Sequence, residues 1–419
     1  MWDGWSSQMA RILAYTSPAR GHLFPLTAIL DELRRRGHEI SLRTLDAEVA
    51  ASRERGFDAA PIDPGIEAIE HDDWRARTPN GALKRSIRVF GERAELDAPD
   101  LQAAIGDTRP DAAIVDVNSW GAIAAAEAWG GPWATFCPYP LPIASPVVPP
   151  FGPGLRPARG AAGRARDRVL RPLLTASFGR VMLPPVNAVR ERLGLGPLAD
   201  TDDLFSRPPL VLYMTAEPFE YPRSWPDSVL MVGPCEWDPP ADPPDWLAAV
   251  ERPIVLVTSS SELQDDARLV EAALDGLAGE DVQVVATLPA RDPAGFSAPA
   301  NARVERFLPH GPVLDRAVCA VTHGGMGATQ KALARGVPVC AVPFGRDQLE
   351  VARRVEVAGA GTRLPARRLS AERLRAKVRE AMAHADGARR VADGYAAAGG
   401  PSAAADAVER RLLGGAPAQ

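Results

Sequence analysis

Short apolar runs of strand length alternate with longer segments of helical periodicity along most of the chain. This alternation predicts an α/β architecture with parallel, doubly wound sheets, in which ligands bind at the carboxyl ends of the strands. In the N-terminal half the predicted strands and helices are Arg11–Tyr15, 26–36, 40–42, 47–54, Ala112–Asp116 and Trp120–Trp129.

A proline-rich stretch divides this pattern into two halves. Residues 233–245 read GPCEWDPPADPPD, with five prolines and few apolar positions. The 419 residues suggest two domains of roughly 200 residues each. We expect an N-terminal domain over 9–232, a linker over 233–253, a C-terminal domain over 254–398 and a last helical segment over 399–419. The N-terminal domain also has predicted strands at 210–214 and 229–232. The elements predicted after the linker are Ile254–Thr258, 266–277, 282–286, 317–321, 328–335, 349–357, 371–384 and 402–412.

The clearest local signal is a glycine-rich turn between the strand 317–321 and the helix 328–335. Its polar and small residues are Thr322, His323, Gly324, Gly325, Met326 and Gly327. A helix N-terminus offers unpaired N–H groups and a partial positive charge, so the turn predicts a site for a diphosphate. His323 is placed to add one donor to a phosphate oxygen. The alternative is that the glycines serve only tight packing.

Polar residues also follow two other strands of this half. Asp347 and Gln348 come after the apolar run 338–342 and are placed to bind neighbouring hydroxyls. Ser259 and Ser260 come after Ile254–Thr258 and can donate hydroxyls or backbone N–H groups to a phosphate. A plain turn is the alternative interpretation of the two serines.

In the N-terminal half, two strands lead to candidate catalytic residues. His22 follows the strand Arg11–Tyr15 in a predicted loop, and Asp116 ends the strand Ala112–Asp116. A histidine oriented by a carboxylate is held in one tautomer and is stabilised once protonated, as a general base requires. The alternatives are a solvated loop histidine and an aspartate that caps the following helix.

The motifs HGG, GVP and PFGRDQ at this spacing resemble the donor-binding segment of GT-B glycosyltransferases that use nucleotide sugars. Within them the chain resembles the bacterial natural-product, macrolide-type family, whose GH-x-x-P element matches residues 21–25. The resemblance implies two Rossmann-like domains that face each other across a cleft, with a last helix that braces the first domain. It also implies His22 as general base, Asp116 as the residue that orients it, and a TDP- or UDP-sugar as co-substrate without a further cofactor.

The same resemblance assigns a nucleotide subsite. Residues 304–310 resemble the family's aromatic-x-Pro-Gln/His element, so Phe307 would stack on the base and His310 would bond to a base edge. Two positions depart from the family. Ala328 stands where Ser or Thr commonly contacts a phosphate, and Lys331 stands where many members carry a ribose-binding glutamate. The missing carboxylate favours a 2′-deoxy nucleotide such as TDP.

An apolar, proline-rich stretch over 138–157 marks the candidate acceptor site. It is too broken for regular structure and is either a stiff surface connection or a wall against a flat, apolar acceptor. In the family this region and the segment before it shape the acceptor pocket. The candidate acceptor-binding residues are Trp74, Phe90, Tyr139 and Phe151. Segments 164–174 and 185–193 predict two amphipathic helices over the same cleft.

Residues 200–202 form a literal D-x-D, the metal–diphosphate signature of another glycosyltransferase class. That signature follows a buried strand, whereas Asp200 and Asp202 follow a loop, so we interpret them as the cap of a short turn. Carboxylates, histidines and cysteines elsewhere lack metal-ligand spacing. We therefore expect no obligatory metal.

Charge and composition limit which partners and which cellular compartment we expect for the protein. A net charge of −5 gives no basic field, so nucleic acid is not expected as a partner. The sequence has no run near the ~20 apolar residues that span a bilayer, and MWDGWSSQ at its start lacks the regions of a signal peptide. Four separated cysteines without a CxxC pair are typical of buried free thiols. We expect a cytoplasmic enzyme that acts on small molecules. The sequence leaves open whether it forms a homodimer.

The sequence therefore favours an inverting glycosyltransferase with a hydrophobic natural-product acceptor. A nucleotide-sugar epimerase of the same fold is one alternative, and the apolar stretch 138–157 argues against it. A non-catalytic partner protein of a glycosyltransferase is another, and His22, Asp116 and His323 together argue against that. A nicotinamide oxidoreductase would need GxGxxG after the first strand, where the chain reads SPARG.

Overall fold

The computed structural model of the protein describes residues 9–76, 78–239, 241–260 and 266–414. Two parallel sheets, of seven and six strands, confirm the predicted pair of doubly wound α/β units. The expectations for residues 1–8, for 261–264 of the serine loop and for 415–419 lie outside the described residues. Among those residues, no helix is both long and apolar enough to span a bilayer.

The first sheet contains β1 (Arg11–Tyr15), β2 (Glu39–Thr44), β3 (Asp58–Pro61), β4 (Ala112–Asp116), β5 (Trp133–Cys137), β6 (Val211–Tyr213) and β7 (Val229–Met231). Its order is β3-β2-β1-β4-β5-β6-β7. Strands β4 and β5 are buried at every position, because helices cover both faces of a parallel sheet. The order reverses between β1 and β4, so the segments after these two strands meet at one switch point.

The second sheet repeats this plan with β8 (Ile254–Thr258), β9 (Gln283–Thr287), β10 (Ala302–Glu305), β11 (Ala317–Thr322), β12 (Val339–Ala341) and β13 (Gly361–Arg363). Its order is β10-β9-β8-β11-β12-β13, with the reversal between β8 and β11. Thr258 pairs with Thr322 at the ends of these two strands. The serine loop after β8 and the glycine turn after β11 therefore leave the sheet side by side.

Fifteen α-helices connect the strands within the described residues. Those of the first half are α1 (Arg20–Arg35), α2 (Asp46–Glu54), α3 (Pro64–Ala68), α4 (Pro79–Thr108), α5 (Trp120–Trp129), α6 (Gly160–Arg192) and α7 (Thr201–Ser206). Those of the second half are α8 (Asp245–Ala248), α9 (Ala267–Leu277), α10 (His310–Leu314), α11 (Met326–Ala334), α12 (Gln348–Val357), α13 (Ala371–Met382), α14 (Ala385–Ala398) and α15 (Gly400–Val408).

Helix α1 begins six residues earlier than predicted. His22 therefore lies in the first turn of a helix and not in a loop, and Pro25 lies inside α1. The missing N–H of Pro25 removes one hydrogen bond to the carbonyl of Gly21, close to the helix start, where few such bonds exist. A helical His22 has its backbone fixed, which makes its ring a more rigid part of the site.

Two other helical predictions were wrong in their boundaries. The predicted pair 164–174 and 185–193 is a single helix, α6, which contains Pro172, Pro184 and Pro185. The predicted helix 371–384 ends at Met382, and α14 follows it directly without having been predicted. Prolines inside α6 give the same sequence signal as a break, and Gly387 and Gly394 weaken the helical signal of α14.

Helix α15 packs against α1 at the back of the first sheet. Ala404 and Val408 belong to the buried cluster that contains Ile12 and Ala14 of β1. Arg36, which follows α1, pairs through Nη1 with Asp406 at 2.6 Å and with Glu409 at 2.7 Å. The end of the described chain is thus tied to the first sheet by both apolar and charged contacts.

Candidate active site

The carboxyl edges of the two sheets open into one cavity of about 690 Å³. Residues from both halves of the chain line it, with His22, Asn118 and Tyr139 on one side and His323 and Asp347 on the other. In parallel sheets this edge presents loops and helix N-termini, which is why ligands bind there. The cavity brings together most of the side chains predicted as site residues.

His22 and Asp116 form a hydrogen-bonded pair at the switch point of the first sheet. Nδ1 of His22 lies 2.8 Å from Oδ1 and 3.0 Å from Oδ2 of Asp116. Asp116 is fully buried at the end of β4, whereas His22 lines the cavity. In this arrangement a carboxylate orients an imidazole for proton transfer.

Asp116 is held as a carboxylate by several donors. Ser17 donates to Oδ2 through its N–H at 2.9 Å and its hydroxyl at 2.6 Å, and the N–H of Asn118 donates to Oδ1 at 2.9 Å. Burial alone would raise the pKa of Asp116, but His22 and these donors outweigh it and lower the pKa. An ionised Asp116 keeps the proton of His22 on Nδ1 and leaves Nε2 toward the cavity.

Asn118 contacts that second ring nitrogen and is not among the predicted site residues. Its Nδ2 lies 3.3 Å from Nε2 of His22, and its Oδ1 accepts a hydrogen bond of 2.9 Å from the Tyr139 hydroxyl. Burial, aided by nearby negative groups, raises the pKa of Tyr139 well above its ordinary value, so this phenol stays a donor. The NH₂ group of Asn118 must then point at His22. The sequence signal that could have identified Asn118 as a site residue is its position two residues beyond the end of β4.

The glycine turn after β11 is closely packed. Helix α11 begins two residues before its predicted start, so Met326 and Gly327 belong to its first turn. Gly324 has a φ of +85°, which favours glycine, and a Cβ on Gly325 would lie 2.3 Å from Nε2 of His323. His323, Gly325, Met326 and Gly327 line the cavity. The turn thus directs an imidazole and a helix N-terminus at the same space, which suits an anion.

Asp347 and Gln348 lie at the start of α12 and line the same cavity. Burial raises the pKa of Asp347, and the nearby Arg346 and His22 oppose this rise. Asp347 is therefore within electrostatic reach of His22 across the cavity. Gln348 is buried, and its Oε1 accepts a hydrogen bond of 2.8 Å from the N–H of Phe344, so this side chain also shapes its own loop.

The predicted nucleobase residues, Phe307 and His310, also line the cavity. Phe307 is 47% exposed and His310 is the first residue of α10. Nε2 of His310 lies 3.1 Å from Oγ1 of Thr287, and burial, aided by the nearby Lys331, lowers the pKa of His310 to about 4. The imidazole is therefore neutral at pH 7. Lys331 itself is paired with Asp238 of the linker.

Ser259 and Ser260 line the cavity beside the glycine turn. The hydroxyl of Ser259 donates to the carbonyl oxygen of Thr287 at 3.2 Å, and the N–H of Ser260 donates to Oδ2 of Asp266 at 2.5 Å. Both serines thus have partners within the protein, and these contacts fix the shape of the loop where it leaves β8.

Of the four predicted acceptor residues, Phe90, Tyr139 and Phe151 line the cavity. Trp74 does not line it. Its ring is exposed and lies under the guanidinium of Arg75, 4.8 Å from the ring centroid. Because the neighbouring Asp73 is the buried residue of this turn, the pattern of charged and aromatic residues around 71–75 misidentified which side chain faces inward.

The D-x-D segment is a helix cap, as predicted. Oδ1 of Asp200 accepts the N–H groups of Asp202 at 2.9 Å and Asp203 at 3.1 Å at the start of α7. All four cysteines are buried and free. Within the described ranges no group of three or more His, Cys, Asp or Glu residues is arranged to hold a metal ion.

Comparisons with known proteins agree with this architecture. The family described as "Erythromycin biosynthesis protein CIII-like, C-terminal domain" matches residues 271–410. The 4'-demethylrebeccamycin synthase of Lentzea aerocolonigenes is 35% identical over 387 residues, which cover 88% of this chain and 91% of that protein. The demethyllactenocin mycarosyltransferase of Streptomyces fradiae is 25% identical in an alignment of 430 positions, gaps included, that covers 98% of this chain and 88% of that protein.

Solved structures show the same fold. The glycotransferase of kitacinnamycin is 26% identical and superposes with a TM-score of 0.73, covering 97% of this chain and 100% of that one. The glycosyltransferase VinC, solved in complex with dTDP, is 24% identical and superposes with a TM-score of 0.70, covering 97% of this chain and 100% of that one. The fold, the cavity and the close relative along nearly the whole chain lead to one conclusion: the protein belongs to the GT-B glycosyltransferases of natural-product biosynthesis.

Proposed function

We propose that the enzyme transfers a sugar from a TDP- or UDP-sugar to a hydrophobic natural-product acceptor, with inversion at the anomeric carbon. The observation that carries the proposal is the single cavity that His22 and the glycine turn at His323 both line. One side supplies a base held by a buried carboxylate, and the other supplies donors for an anion. A displacement reaction needs these two functions on opposite sides of the sugar.

In this reaction Nε2 of His22 accepts the proton of the acceptor's hydroxyl or N–H group. A lone pair of the acceptor atom forms the new bond to the anomeric carbon. The bond between that carbon and the diphosphate oxygen breaks, and its electron pair leaves with the diphosphate. Asp116 stabilises the imidazolium that results. Because the base faces the leaving group across the cavity, one-step attack inverts the anomeric centre.

The leaving diphosphate gains negative charge as the bond breaks. In the proposed reaction His323 and the N–H groups at the start of α11 stabilise this charge without an obligatory metal ion. Fixed donors lower the barrier because they need no reorganisation during the step. Closure of the two halves around the substrates would exclude water, which competes with the acceptor as nucleophile.

The rest of the donor has its own contacts in this proposal. Asp347 and Gln348 bind sugar hydroxyls, Phe307 stacks on the base, and the neutral His310 bonds to a base edge. Lys331 stands where the family resemblance leads us to expect a ribose-binding glutamate, and its presence favours a deoxynucleotide in this proposal. The dTDP bound to the similar VinC supports TDP-sugars as the first donors to test.

Phe90, Tyr139 and Phe151 line the same cavity as His22, with the Tyr139 ring 5.7 Å from the His22 ring, and we propose that they hold the acceptor. Aromatic walls suit a flat, apolar molecule, since stacking and area burial are then both available. Because one relative is named 4'-demethylrebeccamycin synthase, the aglycone of 4'-demethylrebeccamycin is a first acceptor to test, together with macrolide aglycones.

The proposal is tested by mass-spectrometric turnover of TDP- and UDP-sugars with this acceptor panel. We expect His22→Ala and Asp116→Asn to lower kcat/KM for transfer by about 10²–10⁴-fold, while the Kd for the bare nucleotide diphosphate stays unchanged. His384→Ala, a histidine outside the cavity, is the matched control. NMR of the product reports inversion, and excess EDTA should leave the rate unchanged.

Other outcomes would select another function. Full activity of His22→Ala would place the base elsewhere. Conversion of the nucleotide sugar into its epimer without an acceptor would identify an epimerase. If the wild-type protein bound no nucleotide diphosphate, the hypothesis of a non-catalytic partner protein would replace that of an enzyme.

A further inference from the structure

Helix α12 contacts both substrate regions of the cavity. Its start carries Asp347 and Gln348, and its next residues contact the proline-rich stretch 138–157, which we call the acceptor segment. Phe151 of this segment lines the cavity, and the segment's contacts with α12 lie just after it, at Gly152 and Gly154. A single rigid helix therefore fixes the distance between the proposed sugar contacts and the acceptor wall.

A buried carboxylate of α12 accepts two backbone N–H groups of the acceptor segment. Oε1 of Glu350 accepts the N–H of Gly152 at 2.9 Å and the N–H of Gly154 at 2.8 Å. Glu350 is only 2% exposed. Hydrogen bonds to a charged acceptor are stronger than those between neutral groups, and they are stronger still where the groups are shielded from water. Arg353 adds a hydrogen bond of 2.8 Å to the carbonyl of Gly154.

The charge of Glu350 is balanced within the fold. Its Oε2 lies 3.0 Å from Nη1 of Arg354, whose Nε and Nη2 donate to both oxygens of Glu220 at 3.0 and 2.9 Å. Glu220 also accepts the hydroxyl of Tyr213, and that hydroxyl accepts the N–H of Leu141 at 3.1 Å. One buried network thus joins both ends of the acceptor segment, at Leu141 and at Gly152.

Gly154 shows how closely the segment fits against α12. Its φ is +58°, and a Cβ at this position would lie 2.2 Å from the carbonyl oxygen of Leu349. A side chain there cannot be accommodated without moving the segment, because the obstacle is helix backbone. A substitution at Gly154 can therefore disturb the contact between the segment and α12 without changing Glu350, Arg354 or Glu220.

We propose that Glu350 is a positioning residue that seats the acceptor segment on the helix whose start binds the donor sugar. Glu350 is among the residues that line the cavity, but its side chain is almost fully buried and both carboxylate oxygens have partners within the protein, so in this account it touches neither substrate. It sets the position of the wall around Phe151 and so governs acceptor binding and acceptor choice. The inference rests on the proposed function, since it takes Asp347 and Gln348 as the sugar contacts. It implies that losing the contact impairs acceptor use and leaves nucleotide binding intact.

The test uses Gly154→Ala and Glu350→Gln in the full chain, with Gly196→Ala as control, because a Cβ at Gly196 meets nothing within 4 Å. We expect Gly154→Ala to raise the acceptor KM by about tenfold or more, and Glu350→Gln, which keeps an accepting oxygen but loses the charge, to raise it less. Hydrolysis of the nucleotide sugar should increase relative to transfer. The Kd for TDP should stay within about twofold of wild type in all three variants.

An acceptor KM unchanged in both folded variants would overturn the inference. A TDP Kd that rises in step with the acceptor KM would also overturn it, since that reports general damage. If Gly154→Ala fails to fold, as judged by thermal melting, Glu350→Gln carries the same comparison. Failure of the wild-type protein to bind any nucleotide diphosphate would instead reject the proposed function, on which the inference rests.

Discussion

The side-chain amide of Asn118 lies 3.3 Å from Nε2 of His22, the nitrogen that would take the acceptor's proton. Tyr139 donates to the amide oxygen and so turns the NH₂ group toward the ring. Nε2 must then act as an acceptor, which requires the proton on Nδ1, from which it is donated in a hydrogen bond to the ionised Asp116. The neutral, reactive tautomer is thus specified from both sides of the imidazole, and an arriving acceptor has to displace the amide.

Removing this orientation should change the pH dependence of transfer. In Asn118→Asp a carboxylate faces Nε2 and favours the protonated ring, so we expect the acid side of the profile of kcat/KM to move to higher pH and activity at pH 6 to fall about tenfold or more. Tyr139→Phe frees the amide to turn and should act in the same direction more weakly. The measurement is transfer between pH 5.5 and 9.

Tyr221→Phe is the control for this series. It removes a cavity-lining hydroxyl that has no hydrogen-bond partner among the described residues. We expect its pH profile to match wild type. Profiles of Asn118→Asp and Tyr139→Phe that kept the wild-type shape, at whatever absolute rate, would show that the two residues act on packing alone.

Gly325 should be intolerant of even a methyl group. A Cβ there would lie 2.3 Å from Nε2 and 2.8 Å from Cε1 of His323, so Gly325→Ala must move the imidazole away from the turn. Loss of one charge-assisted hydrogen bond predicts a rise of about 10- to 100-fold in the Kd for TDP, measured by calorimetry. Gly295→Ala, where a Cβ meets nothing within 4 Å, should bind TDP like wild type. Equal Kd values would remove His323 from the diphosphate site.

Asp347 allows the sugar and nucleotide contributions to be separated. If its carboxylate binds sugar hydroxyls, Asp347→Asn should raise the KM for the nucleotide sugar by about tenfold and leave the Kd for bare TDP unchanged. Asp386→Asn, at an exposed position outside the cavity, provides the control. A parallel loss of TDP binding would show that Asp347 supports the diphosphate turn rather than the sugar.

The sequence indicated those site residues that stand at strand ends. His22 and His323 follow β1 and β11, and Asp116 is the last residue of β4. An alternating pattern of strands and helices places such strand ends at one edge of a sheet. That logic needs only local periodicity. It worked even though α1 begins earlier than its proline suggested, because a helix start and a loop both put His22 at the same edge.

Residues that act through long-range pairs left no such signal. Glu350 lies in the first half of an amphipathic helix, where a glutamate is usually a solvent-facing residue, and its partners Gly152 and Gly154 lie about 200 positions earlier in the chain. Asp73 pairs with Arg346 of the other half of the chain in two hydrogen bonds of 2.7 Å, while the more conspicuous Trp74 is exposed. Charge pairing between distant segments depends on the packing of the two halves, which periodicity does not encode.

His310 makes the stability of the protein depend on pH in a defined window. Its pKa is about 4 in the folded state, because burial disfavours the charged imidazole, whereas an exposed histidine has a pKa near 6.5. Between these values the unfolded chain binds a proton that the folded chain does not, so the free energy of unfolding falls as the pH drops from about 6.5 to about 4. At pH 4.5 this amounts to on the order of 2 to 3 kcal/mol. Denaturant unfolding of wild type and His310→Gln at pH 7 and 4.5 measures this loss of free energy of unfolding. The loss between the two pH values should be smaller in the variant than in wild type by on the order of 2 to 3 kcal/mol. Equal losses would mean that His310 is accessible to protons in the folded protein, and would remove the argument that it meets the nucleobase as a neutral ring.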